Sequence, residues 1–155
     1  GLGMALSAVI IALAYFPGLV GVQAMPFHAL MGWRGGVMAL AVRAPEAQFI
    51  LTDRYTHVGP LAFYWPKPIP VYLVGAKRRF AHYDLWPGPE VEVGRPGLYV
   101  ATRPEPPPEL ASAFAHCQAL EPVANRAPNG VVVRTFYPHR CRDYRAIPWP
   151  EPTRR

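Results

Sequence analysis

The first 33 residues of this chain contain no Lys, Arg, Asp or Glu, and all 16 basic and 10 acidic residues follow them. A segment with no charged face is either covered by protein on every side or set in lipid. Residues 1–25, GLGMALSAVIIALAYFPGLVGVQAM, are long enough for lipid, since about 20 apolar residues at 1.5 Å each span a bilayer core of roughly 30 Å. Pro17-Gly18 is tolerated within membrane helices. A signal peptide needs a basic start and a small-residue cleavage site, and neither is clear here. We therefore expect one transmembrane helix over 1–25. A buried helix followed by a strand over LVGVQAM, and a signal sequence, are the alternatives.

The 155 residues leave room for one further domain with its own core. Over 26–47, Leu30, Trp33, Val37, Leu40 and Ala41 recur at helical spacing until Pro45, which predicts an amphipathic helix leading into that domain. Phe49–Thr52 and Val71–Gly75 read as strands covered on both faces, with a short helix over His57–Tyr64 between them. Gly97–Ala101 makes a third strand. The stiff PEPPP connector at 104–108 then leads to a helix over 108–120, with Leu110, Phe114, Cys117 and Leu120 on one face. Asn129-Gly130 marks a turn before a last strand at a sheet edge, Val131–Tyr137. The pattern predicts a small three-layer α/β sheet domain over 48–145, with an extended tail over 146–155.

The net charge of +6 suits phosphate-bearing partners, anionic lipid or nucleic acid, and 14 of the 16 basic residues are Arg. No RNP, helix-turn-helix or GxxG pattern supports nucleic acid, and none is expected as a partner. The glycines form no GxGxxG or P-loop, so no nucleotide cofactor is expected. Cys117 and Cys141 have no histidine at metal spacing, and HxD at 82–84 with His57 matches no closed site. A metal is therefore not expected, and the cysteines form either one disulfide or two unrelated thiols.

Polar chemistry gathers between Asp53 and Gly88. Asp53, Arg54 and Tyr55 follow the first strand directly, where open α/β sheets bind ligands. Arg78 and Arg79 follow the second strand, with Tyr83, Asp84 and Trp86 shortly after. Guanidinium groups fork onto phosphate oxygens, and aromatic rings stack on sugars or sit at the head-group level of a membrane. An acid–base reading of Asp53, His82 and Asp84 lacks a nucleophile, since no GxSxG is present and no Ser or Cys stands in an elbow context. No residue is assigned a catalytic role.

The stretch LTDRYTHVGPLAFYWPKPIPVYLVGAKRRFAHYDLWPG resembles the C-terminal extracytoplasmic region of bacterial glycosyltransferase family 39 membrane proteins. Asp53-Arg54-Tyr55, Leu61-Ala62-Phe63-Tyr64 with Pro66, Val71-Tyr72, Arg78-Arg79, and Tyr83-Asp84 with Trp86-Pro87-Gly88 carry it, over residues 48–103. Ala81-His82 departs from the Asn-Gln common before the Tyr-Asp pair. The resemblance implies transfer of a sugar from a polyprenyl-phosphate carrier to a lipid or protein acceptor. It implies a protein of the bacterial inner membrane, with the α/β domain on the extracytoplasmic face and 1–25 as the last membrane helix. Asp53, Arg54, Tyr55, Arg78, Arg79, Tyr83, Asp84 and Trp86 would then contact substrate. The family's catalytic acidic residues lie in an early loop that has no counterpart in this chain. The domain would cover a site built by the rest of the polypeptide. A membrane-tethered, non-catalytic binding or scaffolding domain is the alternative, and a soluble α/β hydrolase is a third reading.

Overall fold

Alternation along two short apolar strands divides the core between the faces of one sheet. Ile50, Leu98 and Val100 point to one face, while Phe49, Leu51, Tyr99 and Ala101 point to the other. Each fully buried side chain of this size contributes about 1.5–3 kcal/mol. The computed structural model describes residues 2–15, 31–75, 82–127, 130–146 and 149.

In chain order the elements are α1 (Leu2–Tyr15), α2 (Trp33–Arg43), β1 (Phe49–Thr52), α3 (Tyr55–Tyr64), β2 (Val71–Leu73), β3 (Gly97–Ala101), α4 (Glu109–Ala113), β4 (Phe114–Ala119), β5 (Val123–Arg126) and β6 (Val132–Tyr144). Two 3-10 turns, His82–Leu85 and Pro89–Glu92, lie between β2 and β3. The strand order is β2-β1-β3-β6-β4, with β5 also paired to β6. Strand β1 runs parallel to β2 and β3, whereas β6 is antiparallel to β3, β4 and β5. Helices α2 and α3 contribute Trp33, Val37, Leu40 and Leu61 to one face. On the other face lie Leu110 and Ala113 of α4, with Tyr144 and Trp149. This is the mixed α/β architecture expected.

Helix α2 belongs to the domain core as well as leading into it. Its Gly36 passes so close to the sheet that a Cβ there would stand 3.0 Å from Asn125 Cγ and Phe136 Cε2. Residues 26–30 of the expected helix lie outside the described residues. Both α2 and α3 stop where a proline follows: Ala44 and Trp65, the residues before Pro45 and Pro66, leave helical geometry.

Four expectations need correction. The helix predicted over 108–120 lasts only from Glu109 to Ala113, and Phe114–Ala119 is strand β4. The Ala-rich run fits either period, and the hydrogen-bonding edge of β6 decides for strand. The last strand is neither short nor at an edge, since β6 runs 13 residues between β3 on one side and β4 and β5 on the other. Pro138 concealed this, because proline is rare inside a sheet. Its carbonyl accepts from Leu120 N at 2.9 Å, but it has no N–H to return, and β4 ends beside it before Pro122. The missing donor thus falls at the break between β4 and β5, where it costs the ladder least. Strand β2 is a half-buried edge strand rather than a covered one. The tail is not wholly extended away from the domain: Trp149 stacks on Tyr99 at 6.5 Å and donates to Tyr144 Oη at 3.1 Å.

Among the described residues no helix is long and apolar enough to cross a membrane. Helix α1, with 14 uncharged residues, reaches about 21 Å, short of the bilayer core. Its described side chains, those of residues 3–12, are exposed, with Met4 80%, Leu6 64% and Ile11 57% in solvent. Residues 16–25 of the expected membrane helix lie outside the described residues.

Candidate functional site at the carboxyl ends of the parallel strands

Strand β1 delivers its next three residues to the open rim of the sheet, and period-two alternation sends them to different faces. Asp53 emerges on the α4 side. Its Oδ2 accepts from Thr102 Oγ1 at 2.9 Å, which joins the ends of β1 and β3, while its Oδ1 is buried without a hydrogen-bond partner. One residue back, Thr52 is fully buried and donates to Val100 O at 3.2 Å, so the two strand ends are tied twice. Close by, the Tyr99 phenol is pushed well above its ordinary range, first by burial and then by the negative charges of Asp53 and Glu109.

Arg54 emerges on the opposite side, exposed, as the cap residue of α3. Tyr55 opens that helix with 62% of its surface in solvent. One turn on, His57 is buried against Trp33 and Phe136, edge-on to both rings at 5.2 and 5.5 Å. Burial, then the positive charges of Arg134 and Arg54, push its imidazole down to about 4. His57 is therefore neutral at pH 7, and its Nδ1 has no hydrogen-bond partner. Arg134 lies over the Trp33 ring at 4.0 Å. The rim is thus acidic over one face of the sheet and cationic over the other.

Strand β2 leads toward the second group. The turn His82–Leu85 packs beside β2, and Trp86 follows it, 63% exposed. Tyr83 and Trp86 meet edge-to-face at 5.1 Å, forming an exposed aromatic step. Asp84 lies within the turn. Arg78 and Arg79 lie outside the described residues. Among the described residues, no hydrogen bond or ion pair joins Tyr83 or Trp86 to Asp53, Arg54 or Tyr55. The Tyr83–Trp86 step is held by its turn beside β2, and the Asp53–Tyr55 group stands at the carboxyl end of β1.

Catalytic chemistry has little footing among these groups. Asp53 is held by a threonine, and His57, in the helix that follows it, turns to the other face of the sheet. His82 is exposed, with its ring against Tyr83 at 6.2 Å. Among the described residues no three His, Cys, Asp or Glu side chains gather to hold a metal. The arrangement suits binding: an exposed guanidinium, two exposed aromatic surfaces and a fixed carboxylate.

Thr102 was not singled out from the sequence. The signal was there, since it follows the end of β3 as Asp53 follows β1, and parallel neighbours end at the same rim. Arg134 lies within the strand expected over Val131–Tyr137, but its place over the Trp33 ring follows only from how β6 packs against α2. No protein-family model, curated protein or solved structure matches this chain.

Proposed function

We propose that this chain is the C-terminal part of a membrane glycosyltransferase that moves a sugar from a polyprenyl-phosphate carrier to a lipid or protein acceptor. The domain covers the membrane-embedded site and contacts carrier or acceptor through its rim, while the reaction's catalytic acid lies elsewhere in the polypeptide. The observation that supports the reading is the rim itself: Arg54 and Tyr55 stand exposed at the carboxyl end of β1, Trp86 is exposed next to the turn that packs beside β2, and residues 48–103 contain no Ser or Cys. Arg54 and the Arg78-Arg79 pair supply forked donors for phosphate, and Tyr55, Tyr83 and Trp86 supply faces for sugar or head groups. The outward apolar side chains of α1 favour lipid contact, with residues 1–25 as the last membrane helix and the domain on the extracytoplasmic face of a bacterial inner membrane. The reading needs no cofactor and no nucleic acid.

The test is sugar transfer by the product of the complete gene, reconstituted in vesicles with a polyprenyl-phosphate sugar. Replacing Arg54, Arg78 and Arg79 by Gln should raise KM for the carrier about tenfold or more per lost charged contact. An unchanged KM removes the phosphate role of the rim. Full activity without residues 48–155 removes the covering role. A second reading, a tethered non-catalytic binding domain, draws on the same lack of a nucleophile, and it requires a complete gene product that binds such carriers but transfers nothing.

A further inference from the structure

A second cluster of donors lies at the opposite edge of the sheet, on β4 and β6. His116 faces Arg142, and Gln118 faces Arg140, as directly opposed pairs. Leu120 N donates to Pro138 O, and alternate pairs from there toward Arg142 are the hydrogen-bonded ones. The four side chains therefore share one face, about 5.5 Å apart across the strands and about 7 Å along them. They line an open depression of about 210 Å³, to which Cys117 also contributes.

The polar atoms left over in this depression are nearly all donors. Gln118 Oε1, the only side-chain acceptor besides the imidazole, is already taken by Arg140 Nη2 at 2.9 Å, which leaves the Gln118 amide N–H groups. Glu46 stands 3.5 Å from Arg140 Nε, an ion pair without hydrogen-bond geometry. Arg142 is exposed and has no carboxylate partner among the described residues. Two guanidinium groups are thus served by one loosely placed acid. The disulfide between Cys117 and Cys141 links the middle of the two strands, so the spacing of the four side chains is fixed covalently. Preorganised donors lose little freedom on binding.

We propose that His116, Gln118, Arg140 and Arg142 form an oxyanion-binding site that takes a phosphate group, separate from the rim at the carboxyl ends of β1 and β2. Arg142 supplies the charged fork, Arg140 is oriented beside it by Gln118, and Gln118 Nε2 and His116 complete the ring of donors. The site holds whether or not the rim serves a glycosyltransferase.

The chemistry fits both a soluble phosphate and a lipid head group, and two probes separate them. The full chain in neutral detergent is titrated with inorganic phosphate while the His116 ring signals are followed by NMR. In parallel, binding to phosphatidylglycerol vesicles is compared with binding to phosphatidylcholine vesicles. We expect saturable binding with at least one probe, weakened about tenfold or more by Arg142→Gln and by His116→Gln. The wild-type His116 signals assign the site, and for the His116→Gln protein affinity is read by calorimetry. Arg142→Lys, which keeps the charge but not the fork, should recover part of the loss, and this separates lost binding from lost folding. Sensitivity confined to phosphate assigns a soluble ligand; sensitivity confined to the anionic vesicles assigns a lipid head group. No saturable binding of either probe, or full affinity in both Gln variants, overturns the site.

Discussion

Thr102 Oγ1 donates to Asp53 Oδ2 at 2.9 Å, so the carboxylate that ends β1 is held by the residue that ends β3. The bond fixes the rim from which Arg54 and Tyr55 project. A hydrogen bond to a charged group is worth about 1.5–3 kcal/mol, and its removal here leaves a half-buried carboxylate with fewer partners. Thr102→Val should therefore lower unfolding stability by about 2 kcal/mol, read as a fall in the urea midpoint at constant slope. In a double-mutant cycle with Asp53→Asn, the two losses should be less than additive. Additive losses mean that the bond contributes nothing in solution.

His57 makes stability depend on pH in a defined window. Its folded value of about 4 lies below its ordinary 6.5, so the unfolded chain binds this proton more readily. The contribution is complete above about pH 6.5 and is lost as pH falls toward 4. From the two values, the loss at pH 5 is about 2 kcal/mol. His57→Phe, whose ring can keep the packing on Trp33 and Phe136, should lose less stability between pH 7 and pH 5 than the parent by that amount. Equal acid sensitivity in the two proteins shows that His57 is not buried neutral.

Two strands of the parallel half, β1 and β3, were legible in sequence because each is a short apolar run bounded by a glycine or a charge. Phe49–Thr52 and Gly97–Ala101 carry their own boundaries, and the rim residues Asp53, Arg54 and Tyr55 follow from the first of them. The antiparallel half was not legible, because its structure is set by partners far away. Phe114–Ala119 becomes a strand only because β6 offers an unpaired edge. Val132–Tyr144 continues through Pro138 only because the missing donor meets the break before Pro122. The left-handed turn at Asp143, φ 56°, likewise has no sequence signal beyond aspartate's tolerance of it. For the same reason the donor cluster on β4 and β6 could not be seen before the register was known.

That register brings Cys117 and Cys141 opposite each other with Cα atoms 4.1 Å apart, near the spacing of a non-hydrogen-bonded antiparallel pair. Closing a loop over a sequence separation of 24 residues contributes about 3 kcal/mol in the chain-entropy account. Cys117→Ser places the new hydroxyl at the exposed position and leaves Cys141 as a small buried apolar side chain. Its urea midpoint should fall by the equivalent of about 3 kcal/mol. Dithiothreitol should lower the midpoint of the parent to match and leave the variant unmoved. A parent insensitive to reductant, with accessible thiols, rules the bond out.

Glu92 gives the last prediction, because it is a carboxylate only 2% exposed. Tyr72 Oη donates to its Oε1 at 2.8 Å, and Arg95 Nη1 meets its Oε2 at 2.9 Å. Burial first, then the bond to Glu92, pushes the Tyr72 phenol well above its ordinary range, so Tyr72 stays a donor throughout the accessible pH scale. The knot ties the edge strand β2 to the loop before β3, where Gly94 N also donates to Tyr144 O at 2.8 Å. Removing either donor leaves a buried carboxylate short of a partner, whereas removing the carboxylate leaves a neutral phenol and a guanidinium that water already reaches. The Arg95 side chain is 54% exposed, so water replaces part of what it gives. Tyr72→Phe should therefore cost about 2 kcal/mol, and Arg95→Met less than that. Glu92→Gln, which keeps an acceptor for Tyr72 and relieves the buried charge, should cost no more than Tyr72→Phe. Chemical denaturation of the three variants ranks them directly. A largest loss in Arg95→Met would mean that the exposed ion pair, not the buried phenol, holds Glu92 in place.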